Sequence, residues 1–170
     1  RRNTVPKEDM MKRWLIVLAT MAVAAGAQAA DEWETDFAKA SAKAKAEGKH
    51  LLVDFSGSDW CGWCVKLDKE VFSKKAFKEY AKDNLVLVLA DFPRDKSKQS
   101  EKLQKQNKEL AKKYQVNAFP TIFILNSEGK LVDKTGYQPG GPEAYVEYIK
   151  KVIAEAKKKE LEKAKPETPA

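Results

Sequence analysis

The chain has 170 residues, 43% of them hydrophobic and 34% charged, with a formal net charge of +7. That length suits one domain of ordinary size, and the composition excludes disordered polar, collagen-like and low-complexity classes. Two cysteines and one histidine are too few for a disulfide framework or an all-protein Cys/His zinc site, so neither a metal nor another cofactor is expected.

The chain opens with a segment unlike the rest. Met11-Lys12-Arg13 is followed by an apolar run from Trp14 to Ala25, then by Gly26 and Ala27-Gln28-Ala29. A cationic start, a short apolar stretch and a small-x-small exit are the marks of a secretory signal peptide, with cleavage expected after Ala29. The run is well short of the ~20 residues that span a bilayer, so no membrane insertion of the mature chain is expected. Beyond residue 29 the chain carries 27 Lys and Arg against 23 Asp and Glu, and all but one of those cations, Arg94, are lysines. Base and phosphate readout favours arginine forks, so no nucleic-acid partner is expected.

Trp33, Phe37, Ala40 and Ala44 recur at helical spacing and predict a first helix from about Thr35 to Ala46. Leu51–Phe55 reads as a strand buried on both faces, with one acid, Asp54, inside it. Ser56–Asp59 is turn chemistry, and a helix opens near Trp60-Cys61-Gly62-Trp63-Cys64 and runs towards Glu70. Ser73 is placed to cap a short helix ending near Asn84. Leu85–Ala90 is a second buried strand, Phe92–Ser100 a polar loop, and Leu103, Asn107, Leu110, Ala111 and Tyr114 mark a further helix. Thr121–Leu125 is a third strand, and Asn126–Gly129 turns the chain into a fourth, Lys130–Thr135. A final helix follows Pro142 and buries Tyr145, Ile149, Val152, Ile153 and Ala156. This order gives an α/β domain with a mixed sheet, ending in a charged tail.

The Cys61-x-x-Cys64 pair has several chemical uses, and the surrounding residues decide between them. Haem attachment needs a His after the second Cys, and residue 65 is Val. A zinc ribbon needs a second such pair. A purely structural disulfide closing so small a loop gains little chain entropy. What remains is a redox pair on a strand-to-helix junction. Residues three apart in a helix lie on one side, so the two sulfurs meet. Cys61 at the helix N-terminus has free amides and the helix dipole to favour its thiolate. Gly62 keeps the turn slim and is expected to leave Cys61 exposed. Trp60 and Trp63 flank the pair, and for Trp63 core packing and an exposed landing surface are both open.

Trp60-Cys61-Gly62-Trp63-Cys64 after a central strand resembles the active site of the thioredoxin family, and Phe119-Pro120-Thr121 resembles its cis-proline segment. The order of elements agrees, from about Trp33 to Lys158. The stretch from Cys64 to Val71-Phe72 resembles the exported bacterial branch, including the C-terminal domain of the thiol:disulfide interchange protein. The resemblance implies a thioredoxin fold with a central mixed four-stranded sheet flanked by helices. It implies that Cys61 attacks and Cys64 resolves. It implies a cis Phe119–Pro120 bond opposite the cysteines, with Phe119 offering its backbone to an extended substrate. Asp54 matches the family's buried acid, although one extra residue separates it from Trp60; a proton relay and a structural carboxylate are both open. Gly62-Trp63 replaces the family's usual dipeptides, and the absence of His there argues against a strong oxidant.

The expected organisation is residues 1–29 as N-terminal extension and signal peptide, 30–158 as the thioredoxin-like domain, and 159–170 as a disordered charged tail. The expected function is that of an exported, periplasmic thiol–disulfide oxidoreductase, acting as a monomer to reduce protein disulfides. Its electrons then come from a membrane or soluble redox protein. A non-catalytic peptide-binding module or a redox sensor is the alternative.

Overall fold

The structure, a computed structural model, describes residues 33–163. The expected signal peptide with its cleavage point, and the end of the tail, lie outside the described residues. Strand periodicity decides which face of the sheet each side chain meets. β1 (His50–Ser56) is buried along its whole length. Its Leu51, Val53 and Phe55 join one core, with Ala40, Ala44, Val86, Leu110 and Phe123. Leu52 joins the other, with Leu67, Phe77, Ile122, Tyr145 and Ile149. Asp54, two residues on from Leu52, is turned to that second face.

β1 pairs in parallel with β2 (Leu85–Asp91) and antiparallel with β3 (Thr121–Leu125). β3 pairs antiparallel with β4 (Leu131–Thr135), so the order is β2-β1-β3-β4, the expected mixed four-stranded sheet. Parallel neighbours need a long crossover. Here it consists of α2 (Gly62–Leu67), a π-helical turn (Asp68–Phe72) and α3 (Lys75–Asn84). α3 and α5 (Gly141–Lys163) supply Phe77, Tyr145 and Ile149 to the second core. α1 (Phe37–Glu47) and α4 (Glu101–Lys113) supply Ala40, Ala44 and Leu110 to the first. Asp36 and Ser100 cap α1 and α4, each accepting from an amide three residues on. The β3–β4 turn is closed by Asn126, whose side chain accepts from the amides of Glu128 and Lys130, with Gly129 at φ 78°.

Three local expectations give way to packing. Trp33 shares helical spacing with Ala40 and Ala44, yet it precedes α1 and packs on Phe72, ring centroids 5.1 Å apart, on the opposite face of the sheet. The neighbouring Glu34 backbone pairs with Leu87 and Leu89 on the outer side of β2, and this carries the chain across the sheet edge. Ser73 does not cap α3; it ends the π turn, its hydroxyl donating to the Lys69 carbonyl, and Lys74 takes the cap position with no side-chain bond. The ordered chain does not stop near Lys158, because α5 continues to Lys163. Lys157–Lys163 consists only of Lys, Glu and Leu, strong helix formers that extend an anchored helix into solvent. α5 also buries Val146, which periodicity did not single out, and leaves Val152 and Ala156 only half-buried. Among the described residues no helix is long and apolar enough to cross a membrane.

Candidate active site

The site is built where β1 ends. The Gly57 carbonyl accepts from the amides of Trp60 (3.2 Å) and Cys61 (2.8 Å), turning the chain sharply into α2. The loop after β2 holds this turn from outside. Asp91 accepts from the Ser58 amide at 2.8 Å and hydroxyl at 2.6 Å. Asp59 accepts from the amides of Arg94 and Asp95, and these bonds, with Lys98, hold its carboxyl below the usual range. The Trp60 indole donates to the Phe92 carbonyl at 2.7 Å.

Gly57 is required by Trp60. A methyl group at residue 57 would lie 2.6 Å from Cζ2 and 2.7 Å from Nε1 of that ring. Gly57→Ala is therefore expected to push the indole off Phe92. We expect it to cost about 1–3 kcal/mol of stability, the range for overpacking. Denaturant midpoint reads the stability and Trp fluorescence the displacement; an unchanged midpoint and spectrum would contradict this packing.

Cys61 occupies the N-cap of α2 in extended conformation, and its sulfur accepts from the Cys64 amide at 3.2 Å. The two cysteines are joined in a disulfide, Cα atoms 5.2 Å apart. Cys61 is only 6% exposed, against the expectation of an exposed thiol, and Cys64 is 4% exposed. The sulfur–sulfur bond removes surface from both residues, so exposure does not separate their roles in this state. Position does: Cys61 is at the helix terminus, whereas Cys64 lies one turn inside it.

Asp54 lies beneath Cys64. Both line a cavity of about 440 Å³, together with Ser56, Ser58 and Asp68. Despite the extra residue before Trp60, Asp54 and Cys64 line the same cavity. Burial pushes the Asp54 carboxyl up to about 8, and the charges of Asp68 and Asp91 add to the effect. Among the described residues its Oδ1 has no hydrogen-bond partner. A carboxyl in this state holds a proton at neutral pH and can exchange it with a neighbour. Asp68, exposed and four residues after Cys64, takes part in this electrostatics without having been singled out. Helical spacing from Cys64 was the available signal.

Two aromatic groups frame the cysteines. On one side Phe119 packs against Trp60 and Phe92, centroids 5.4 Å away in each case. The Phe119–Pro120 bond is cis, and the Thr121 hydroxyl bridges it by donating to the Ala118 carbonyl at 2.7 Å. Phe55 pairs with Thr121 across the sheet, so Pro120 lies at the edge from which the Ser56–Cys61 turn leaves. On the other side Trp63 is 56% exposed and rests against Tyr137, centroids 5.2 Å apart. The Lys66 ammonium lies 5.0 Å from the first ring and 4.9 Å from the second. The Tyr137 hydroxyl donates to Glu70 at 2.6 Å. Trp63 is thus a surface residue fixed by a cluster, and Tyr137, Lys66, Phe92 and Arg94 are site neighbours that the sequence reading missed. No group of metal-ligating side chains occurs among the described residues.

The thioredoxin-like domain family matches residues 37–153. Over 122 residues the chain is 36% identical to disulfide bond reductase DsbH of Chlamydia pneumoniae, covering 72% of each protein. It is 32% identical over 111 residues to thiol:disulfide interchange protein DsbD of Vibrio cholerae, covering 64% of this chain but only 17% of that much longer one. Among solved structures, a DsbH oxidoreductase superposes with a TM-score of 0.69 at 35% identity, covering 72% of this chain and 84% of that one. A putative disulphide-isomerase from Bacteroides thetaiotaomicron superposes with a TM-score of 0.51 at 30% identity, covering 69% and 88%.

Proposed function

From the premise that the chain belongs to the thioredoxin-like family, we propose that it is an exported reductase of protein disulfides working through Cys61 and Cys64. It is a thiol–disulfide oxidoreductase. The observation that carries the exchange chemistry is the pairing of a helix-capping Cys61 with a Cys64 that shares its cavity with the buried Asp54. Cys61 meets the substrate as a thiolate and attacks one sulfur of its disulfide. That bond breaks, a mixed disulfide forms on Cys61, and the other substrate sulfur leaves and takes a proton. Where Asp54 is ionised, its carboxylate takes the Cys64 proton, Cys64 attacks the Cys61 sulfur, and the proton passes on to the departing substrate thiolate. The second substrate thiol departs, and two electrons have passed from the pair to the substrate.

Trp60 and Trp63 provide the apolar face on which a substrate segment rests. The Phe119 backbone, presented beside Pro120, pairs with that segment as an added strand. The direction is towards reduction because a stabilised thiolate is what makes such a pair oxidising. Here no His stands between the cysteines, and the Asp68 carboxyl lines the same cavity as Cys64. The pair is recharged by a redox protein as electron donor, and the chain acts as a monomer. Residues 11–29 support export to the periplasm or beyond, with cleavage after Ala29, ahead of the thioredoxin-like domain.

Insulin reduction with dithiothreitol as the recharging thiol tests this reading. The chain should precipitate the insulin B chain well ahead of dithiothreitol alone, and Cys61→Ala should fall back to that background. Equal rates with and without the unsubstituted chain would contradict the proposal and leave a binding module in its place.

A further inference from the structure

The rings beside the cysteines carry cations. The Arg94 guanidinium lies 6.0 Å from the centroid of the Trp60 ring. Two bonds hold the pair in place from the backbone: the Arg94 amide donates to Asp59 Oδ1 at 2.9 Å, and the Trp60 indole donates to the Phe92 carbonyl. The loop therefore fixes an exposed arginine against the residue that precedes Cys61. Among the described residues this is the single arginine, and the other Lys/Arg cations beyond residue 29 are all lysines. Among the described residues the guanidinium makes no ion pair. Across the cysteines, the Lys66 ammonium lies over Trp63 and Tyr137 but is also ion-paired with Glu70 at 4.0 Å.

A guanidinium lying against a ring keeps its N–H edge available to a planar acceptor that can take two parallel bonds. Resting on the ring also lowers the entropy lost when it binds, since the side chain is already placed. Building on the reductase reading above, we infer that Arg94 selects disulfides carried in acidic segments. Its fork takes the carboxylate of an Asp or Glu next to the substrate cysteine, while Trp60 carries the adjoining apolar surface. Basic segments are repelled from the Arg94 flank.

The test uses disulfide-linked peptides that differ at one residue beside the cysteine, Glu, Gln or Lys, placed on either side in turn and offered to the full reduced chain. The Glu peptide should exceed the Gln peptide in kcat/KM by roughly three- to tenfold, the range for a partly exposed charged fork. The difference should lie in KM, and the Lys peptide should fall below both. Raising the salt to ~0.5 M should shrink the preference, because exposed charges are screened. Arg94→Gln should bring the Glu/Gln ratio close to one, and Arg94→Lys should retain part of it. Equal kcat/KM for the Glu and Gln peptides with the unsubstituted chain would overturn the inference, whatever the variants do. So would a preference that survives in Arg94→Gln. Failure to reduce any of the peptides, or insulin, would overturn the reductase reading itself.

Discussion

Asp54→Asn should stabilise the oxidised protein by several kcal/mol at pH 8 and by almost nothing at pH 4. Asp54 titrates near 8 in the folded chain, raised first by burial and then by Asp68 and Asp91. In the unfolded chain it titrates near ~3.9. Between those values the folded chain holds a proton that the unfolded chain has released, so this residue's effect on stability worsens as pH rises. The slope is ~1.4 kcal/mol per pH unit, which sets an upper bound of roughly 5 kcal/mol by pH 8. Asparagine cannot ionise and removes that loss. Below pH ~4 both residues are neutral and the difference vanishes. Denaturant midpoints of both proteins across pH 4 to 8 measure the effect, and a gain independent of pH would contradict an acid raised in the native state. The same substitution should slow the resolving step, since the cavity beneath Cys64 loses the buried carboxyl there that can exchange a proton.

Cys64→Ser should abolish turnover and convert the protein into a trap. Cys61, on the helix N-terminus with the Cys64 amide directed at its sulfur, still attacks. With no resolving thiol, the mixed disulfide persists until an external thiol cleaves it. Cys61→Ser should abolish turnover equally and capture almost nothing, because Cys64 is set one turn into the helix. Mass spectrometry of either variant after incubation with a disulfide peptide separates the two. Comparable adduct on both, or more on Cys61→Ser, would reverse the roles assigned to the cysteines.

Local rules carried the reading where contacts are local. The Cys61–Cys64 pair needs only three-residue helical spacing. Asp54 reaches its place through period-two alternation along one strand, and β3 runs from Thr121 to Leu125 as its apolar run indicates. Where partners are distant in sequence, no periodicity exposes them. Trp60 and the Phe92 carbonyl are 32 residues apart, Asp59 and the Arg94 amide 35, Tyr137 and Glu70 67. These contacts surround the cysteines with aromatic rings and cations, and they come from loops whose path is set by the whole sheet. Trp33 illustrates the opposite failure, a helical spacing shared by chance with residues on the other face. Ser73 illustrates a third: a good capping residue loses its post because the preceding helix widens into a π turn, and its hydroxyl is drawn back to Lys69.

The most direct measurement is the redox equilibrium of Cys61 and Cys64 against glutathione buffers, read by alkylation of the reduced form. The pair should pass through one two-electron transition. Its midpoint should lie on the reducing side, closer to the ~−270 mV of reductases than to the ~−120 mV of strong oxidants. A midpoint near ~−120 mV would contradict the direction assigned to the protein, and the absence of a reversible transition would contradict its role in thiol–disulfide exchange altogether.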